Sequence, residues 1–219
     1  MDRTIKGFIE KLDYFTSQSF DIADKHRHLG HENGLAFYHF GRYVSCFMGV
    51  KTILFSMDFA AEQKDFTNRY VATLPERFPR RDVTIAVTYI KETHMNIRFL
   101  LFQNFYSQTE FTLRIIRRAK FPNDRRNPFK LIAEEFDVMP VDTALFLNDI
   151  RNTIHNNGYY FPDDNTDKEH DFLGKKFTFK VGKPIDTVTM VDILNIVEYV
   201  LNATIKLFEV EDFAKHEFR

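Results

Sequence analysis

Tryptophan is absent from the 219 residues, and cysteine occurs once. That lone Cys46 sits in the apolar run YVSCFMGV, which excludes an intrachain disulfide and any multi-cysteine zinc site. Its apolar company points to packing rather than nucleophilic catalysis. No stretch approaches about 18 uninterrupted apolar residues, so no membrane span is expected. The N-terminus MDRTIKGFIEKLDYF lacks the apolar core and small-residue cleavage site of a signal peptide. With one cysteine, a reducing, cytoplasmic setting is expected. Net charge is also scarce, at −1, so attraction to nucleic acid must come from a local patch. Neither a His-Glu-x-x-His spacing nor a phosphate loop is present, since GHENG and KVGKP lack the Gly-x-x-x-x-Gly-Lys-Ser/Thr arrangement.

What is abundant is phenylalanine. With 25 Phe, 9 Tyr and 44% hydrophobic residues, the chain has ample material for a core packed mainly by aromatic rings. Ile5, Phe8, Ile9, Leu12 and Phe15 recur at helical spacing and predict a first helix that runs into the polar stretch DIADKHRHLGHENG. Phe40, Tyr43, Val44, Phe47, Val50, Ile53, Leu54 and Met57 predict a second long helix from Leu35 to roughly Glu62, with Lys51 at its edge. A short helical piece over 63–73 and a break at Pro75 and Pro79 follow. Ile90, Ile97, Leu100, Leu101, Phe105, Leu113 and Ile116 then support a long helix from Asp82 or Val83 to about Ala119.

Pro128 and Pro140 each open a further helix. The second of these carries Asp142 in its first turn and ends at Asn156-Asn157-Gly158. The stretch YYFPDDNTDKEHDFLG reads as a polar and aromatic loop, and Phe177, Phe179 and Val181 alternate like a strand. A hairpin-like flap using Tyr159 to Phe161 is the expected pairing. A last helix spans roughly Val188 to Glu209, with Val191 and Leu194 in its apolar stripe. The expected fold is mainly all-α: a single domain over 1–219, an up-and-down helical bundle with a small β-hairpin-like insert near 159–183.

Three clusters carry chemistry. Arg151 and His155 stand four apart in IRNTIHNNG and therefore share a helix face. A histidine moves the proton of a ribose 2′-hydroxyl near neutral pH, and a guanidinium holds phosphate oxygens, a combination that suits RNA cleavage without a metal. The plain alternative is a cation at a helix end stopped by Asn-Asn-Gly. The run from Arg114 to Lys130 holds seven basic residues against Asp124, including Arg114, Arg117, Arg118, Arg125 and Arg126. It suits an RNA backbone, with Phe121 or Phe129 for stacking, or simply a solvated helix end. His26, His28 and His31, with Asp24 or Glu32, are the metal candidate, and a polar helix end is the favoured reading.

The stretch LNDIRNTIHNNG, late in a mainly helical chain and followed by an aromatic loop and a final long helix, resembles the HEPN superfamily. In that family an Arg, usually followed by a polar residue, precedes a His; Arg151, Asn152 and His155 match in kind. The gap is shorter than the family's usual four to six residues, with only Asn152, Thr153 and Ile154 between. The resemblance implies a metal- and cofactor-free endoribonuclease whose site forms between two copies of the chain, of a defence or toxin–antitoxin kind, or a non-catalytic relative that binds RNA, nucleotides or a partner protein such as an antitoxin. It implies that Arg151 binds the scissile phosphate, that His155 acts as acid or base or orients the 2′-hydroxyl, and that Asn152 steadies one of them, with Asn156 in a supporting place. Glu110 would orient Arg151 if its helix packs beside the motif, or pair with Arg114 four residues on.

Overall fold

A computed structural model describes residues 3–31, 34–62, 83–156, 158–185 and 188–210. The expected helix over 63–73 and the Pro75 and Pro79 break lie outside them. Helix α1 covers Arg3–His28, α2 Leu35–Glu62, α3 Val83–Lys120, α4 Pro128–Phe136, α5 Val141–His155 and α6 Met190–Val210. A single antiparallel hairpin, β1 Lys168–Phe172 and β2 Lys175–Phe179, completes the described elements. The chain is mainly helical with a small hairpin.

Helices α1 and α2 pack along each other, and α3 is central, touching α2, α4, α5 and α6. Buried side chains from all six helices and both strands join one cluster. Phe40, Tyr43, Phe47, Val50 and Leu54 form the inner stripe of α2. The spacing of three and four residues is what keeps them on one face. Ile53, Leu100 and Val191, expected in apolar stripes, are instead exposed, because each falls off the buried arc of its helix. Lys51 pairs with Asp13 across the α1–α2 seam.

The ends of the helices follow from local chemistry. At α1, the N–H of His31 bonds the His26 carbonyl at 2.9 Å and Gly30, at φ +73°, donates to Arg27 at 2.9 Å. This left-handed stop satisfies carbonyls that the helix leaves open. Helix α1 thus continues through DIADKHRH, the polar stretch that the first helix is expected to run into. Asn127 caps α4 by accepting from the N–H groups of Phe129 and Lys130 at 2.9 and 3.3 Å. Thr189 and Asp192 exchange bonds at the start of α6, a reciprocal cap that also draws in Lys175 of β2 at 2.6 Å.

The hairpin differs from the expected one. β2 pairs with Lys168–Phe172, inside the stretch read as loop, while Tyr159 makes an isolated bridge to Pro184. KEHDF hides its strand character because only His170 and Phe172 face inward, between charged residues.

Several buried polar groups of the described residues meet in pairs. His39 Nδ1 lies 2.7 Å from Thr112 Oγ1, and Tyr43 donates to Thr109 at 2.5 Å, since the Thr109 hydroxyl proton goes to the Phe105 carbonyl. Burial lowers the His39 pKa to about 3, so its ring is neutral. Burial also pushes the Cys46 thiol up to about 12, which keeps it protonated and fits packing.

Candidate functional site

At about 100° per residue, Asp142 and Asp149 fall within ~20° of each other on α5, whereas Arg151 and His155 point to the far side, ~40° apart. The helix therefore meets the hairpin with one face and α3 with the other. Each face holds a different polar arrangement.

On the α3 face, Phe102, Tyr106 and Ser107 of α3 meet Arg151, Ile154 and His155 around a shallow, narrow groove that encloses no room for a water molecule. Arg151 is one-third exposed. Its Nη1 donates to Asn152 Oδ1 at 3.0 Å and its Nη2 lies 4.0 Å from Glu110 Oε2. Glu110 receives Arg114 Nη2 at 2.7 Å, so its close partner is the arginine four residues on, and Arg151 stands only at the edge of ion-pair range. Arg151 Nε is buried and has no hydrogen-bond partner among the described residues. His155 is exposed and makes no hydrogen bond there.

Tyr106 is the residue that sequence reasoning missed. Its ring stacks on Phe129 at 4.6 Å and on Phe102 at 5.6 Å, and its buried hydroxyl lacks a partner among the described residues. Burial raises its pKa, and the Glu110 charge adds to the rise while Arg151 and Arg114 oppose it. The hydroxyl therefore keeps its proton for donation. The signal was present, since Tyr106, Glu110 and Arg114 succeed one another at four-residue spacing on α3.

Asn156 ends α5: its N–H returns to the Asn152 carbonyl at 3.1 Å, and Gly158, at φ +89°, donates to Thr153 at 2.9 Å. Asn157 lies outside the described residues. The motif is thus presented in the last turn of a helix, as its sequence implies.

The basic run is largely occupied by its own acids. Arg126 contacts Asp124, Glu134 and Glu135 at 2.5, 2.5 and 2.8 Å, and Arg117 donates to the Arg126 carbonyl at 2.9 Å. Arg118 and Arg125 are exposed and carry no ion pair among the described residues. Phe129 is buried and Phe121 is half-buried against Phe136, so the rings expected to stack on bases are packed instead.

On the hairpin face, His170 is buried and bridges two carboxylates, Asp149 Oδ2 at 2.9 Å and Asp142 Oδ1 at 3.1 Å. Burial alone would lower its pKa, but the two hydrogen-bonded carboxylates outweigh that and raise it. Lys168 Nζ stands 3.9 Å from Asp149 and 3.3 Å from Asp164. Phe146 packs on Phe172 and Phe177 beside this bridge, at 5.2 and 4.9 Å. The constellation clamps the hairpin to α5.

His26 and His31 stack at 5.8 Å, and His28 faces Asp24 at 3.1 Å at the end of α1. Among the described residues, no three His, Cys, Asp or Glu side chains converge as a metal site. No described helix is long and apolar enough to cross a membrane. No family model, curated protein or solved structure matches the chain.

Proposed function

We propose that the chain is a HEPN-like protein that binds and cleaves single-stranded RNA without a metal or other cofactor, as a homodimer, with Arg151 and His155 at its centre. The observation that carries this reading is the pair of unsatisfied donors at the groove, Arg151 Nε and the Tyr106 hydroxyl. A buried donor without an acceptor costs about 1–3 kcal/mol, so two of them beside an exposed histidine call for an anionic ligand. Phosphate oxygens supply the missing acceptors.

In the proposed reaction an imidazole takes the ribose 2′-hydroxyl proton as that oxygen attacks phosphorus. The 5′-oxygen leaves and is protonated by the imidazole of the second copy of the motif, giving a 2′,3′-cyclic phosphate and a free 5′-hydroxyl. Arg151 and Tyr106 donate to the phosphate oxygens as charge builds there. Asn152 holds the guanidinium through its amide oxygen, and the Glu110 carboxylate lies 4.0 Å away as a counter-charge. A defence or toxin–antitoxin role, with an antitoxin as partner and a cytoplasmic location, completes the proposal.

The rival is a non-catalytic helical module that binds a protein or nucleotide. Its support is the self-neutralised basic run, in which Arg114, Arg117 and Arg126 are already engaged. The test is product analysis of single-stranded RNA incubated with the protein in EDTA, with dimer content measured by light scattering. Cyclic-phosphate ends made by wild type and missing with Arg151→Ala support the nuclease. An intact dimer that yields no product supports the module.

A further inference from the structure

The stretch Gly158–Phe161 runs beside 181–185. Tyr160 N–H bonds the Lys183 carbonyl at 3.0 Å, Gly182 N–H bonds the Tyr160 carbonyl at 2.8 Å, and Ile185 N–H bonds the Gly158 carbonyl at 2.9 Å. Side chains alternate across such a pair of extended segments. Tyr160 turns inward and is buried, while Tyr159 and Phe161 are 46% and 56% exposed on the other face.

Their rings lie 6.5 Å apart with planes within 22° of parallel. Tyr159 pairs across with Pro184, and Gly182 lies beside Phe161, where a Cβ would come 3.8 Å from the Phe161 ring. The result is a flat apolar platform of two aromatic rings and a proline.

Two features identify its occupant. Lys180 and Lys183 are exposed on the segment that pairs with it and carry no ion pair among the described residues, Lys183 standing opposite Tyr160; of the nearby acids Asp164 is held by Lys168 at 3.3 Å and Asp167 accepts the Val181 N–H at 2.8 Å, while Asp163 stays exposed. The platform is also fastened to the end of α5, through Tyr159 N–H to Asn156 at 3.1 Å and Gly158 N–H to Thr153 at 2.9 Å. Tyr159 follows His155 by four residues, so their backbones are at most ~14 Å apart.

We propose that Tyr159 and Phe161 form a base-stacking platform for single-stranded RNA, holding nucleotides next to the phosphate that Arg151 receives. This rests on the phosphate-site reading above and names the part of the substrate that the groove does not reach. Stacking is tolerant of sequence because every base has a flat face, so the platform selects unpaired strands rather than a base sequence.

The test is fluorescence anisotropy with a fluorescein-labelled, 2′-O-methylated single-stranded oligoribonucleotide, which cannot be cleaved at the ribose. The double variant Tyr159→Ala/Phe161→Ala is expected to bind about 5- to 100-fold more weakly than wild type. The swap Tyr159→Phe/Phe161→Tyr is expected to bind like wild type, and an abasic oligomer is expected to bind wild type as weakly as the alanine variant binds intact RNA. Full affinity in the alanine variant, or equal binding of the abasic oligomer by wild type, overturns the platform. If Arg151→Ala weakens binding in that case, the phosphate-site reading survives alone; if wild type binds no RNA, both fall.

Discussion

Helix α5 meets a histidine on each side. His170, from the hairpin, has a carboxylate on each ring nitrogen and is buried. His155, at the end of α5, is exposed without a hydrogen bond among the described residues, beside an Arg151 Nε that also lacks one. The first arrangement is complete without a ligand, so its work is architectural. The second is incomplete, and incompleteness next to a groove is what a binding site looks like before its ligand arrives.

The largest expected effect on stability lies on the complete side. His170→Ala or Asp149→Ala leaves buried charge unpaired, and urea unfolding is expected to show a loss of about 3–5 kcal/mol. His155→Ala is expected to stay within about 0.5 kcal/mol of wild type. Equal costs at the two histidines would erase the contrast.

Next comes Tyr106→Phe, which keeps the ring stack with Phe129 and removes only the unpartnered hydroxyl. RNA affinity or cleavage is expected to fall by about 1.5–3 kcal/mol, the worth of a bond to a charged group, with folding stability unchanged or slightly raised. A variant that unfolds more easily while binding RNA normally would make Tyr106 a packing residue.

Protonation gives a third, smaller handle. His39 is held neutral, with its pKa depressed to about 3 from 6.5, so its contribution is present above 6.5 and is lost as pH falls toward 3. The slope of that loss is at most about 1.4 kcal/mol per pH unit. His170 has the opposite sign: its pKa is raised above 6.5, so its contribution is full below 6.5 and is lost as pH rises through the folded value. Stability measured by urea unfolding is expected to crest near this crossover, and His170→Gln is expected to remove the decline on the alkaline side. An unchanged alkaline decline in that variant would separate it from the Asp142–His170–Asp149 bridge.

The smallest effect belongs to neither face. Asn127 caps α4 and also donates to Asn148 of α5 at 3.0 Å. Asn127→Ala is expected to cost about 1 kcal/mol in thermal or urea unfolding and to leave RNA cleavage intact. Loss of cleavage would mean that α4 helps to set the groove.

These contrasts also mark what the sequence reveals. The bounds of α2 and α3 are legible because apolar residues recur there every three or four positions, and no stronger local signal competes. The stop after His155 is legible because Gly158 is suited to positive φ. β1 is not, since Lys168, Glu169 and Asp171 mask two inward positions. Nor is the His170 bridge, whose partners lie 21 and 28 residues away and meet only after the hairpin folds back on α5. Arg151 and His155 stand out because they share a helix face within one turn. Tyr106 stays hidden because an aromatic residue on an apolar stripe reads as core, and only the packing of α3 on α5 brings its hydroxyl to the groove.

The central claim is that the outward face of α5 performs chemistry that the inward face does not. The most direct measurement is the single-turnover cleavage rate of single-stranded RNA in a chelator, for wild type and His155→Ala at matched folded concentration. A fall of about 10²–10⁴-fold in the variant, with its unfolding curve unchanged, is the expected result. Cleavage by His155→Ala at the wild-type rate would contradict it.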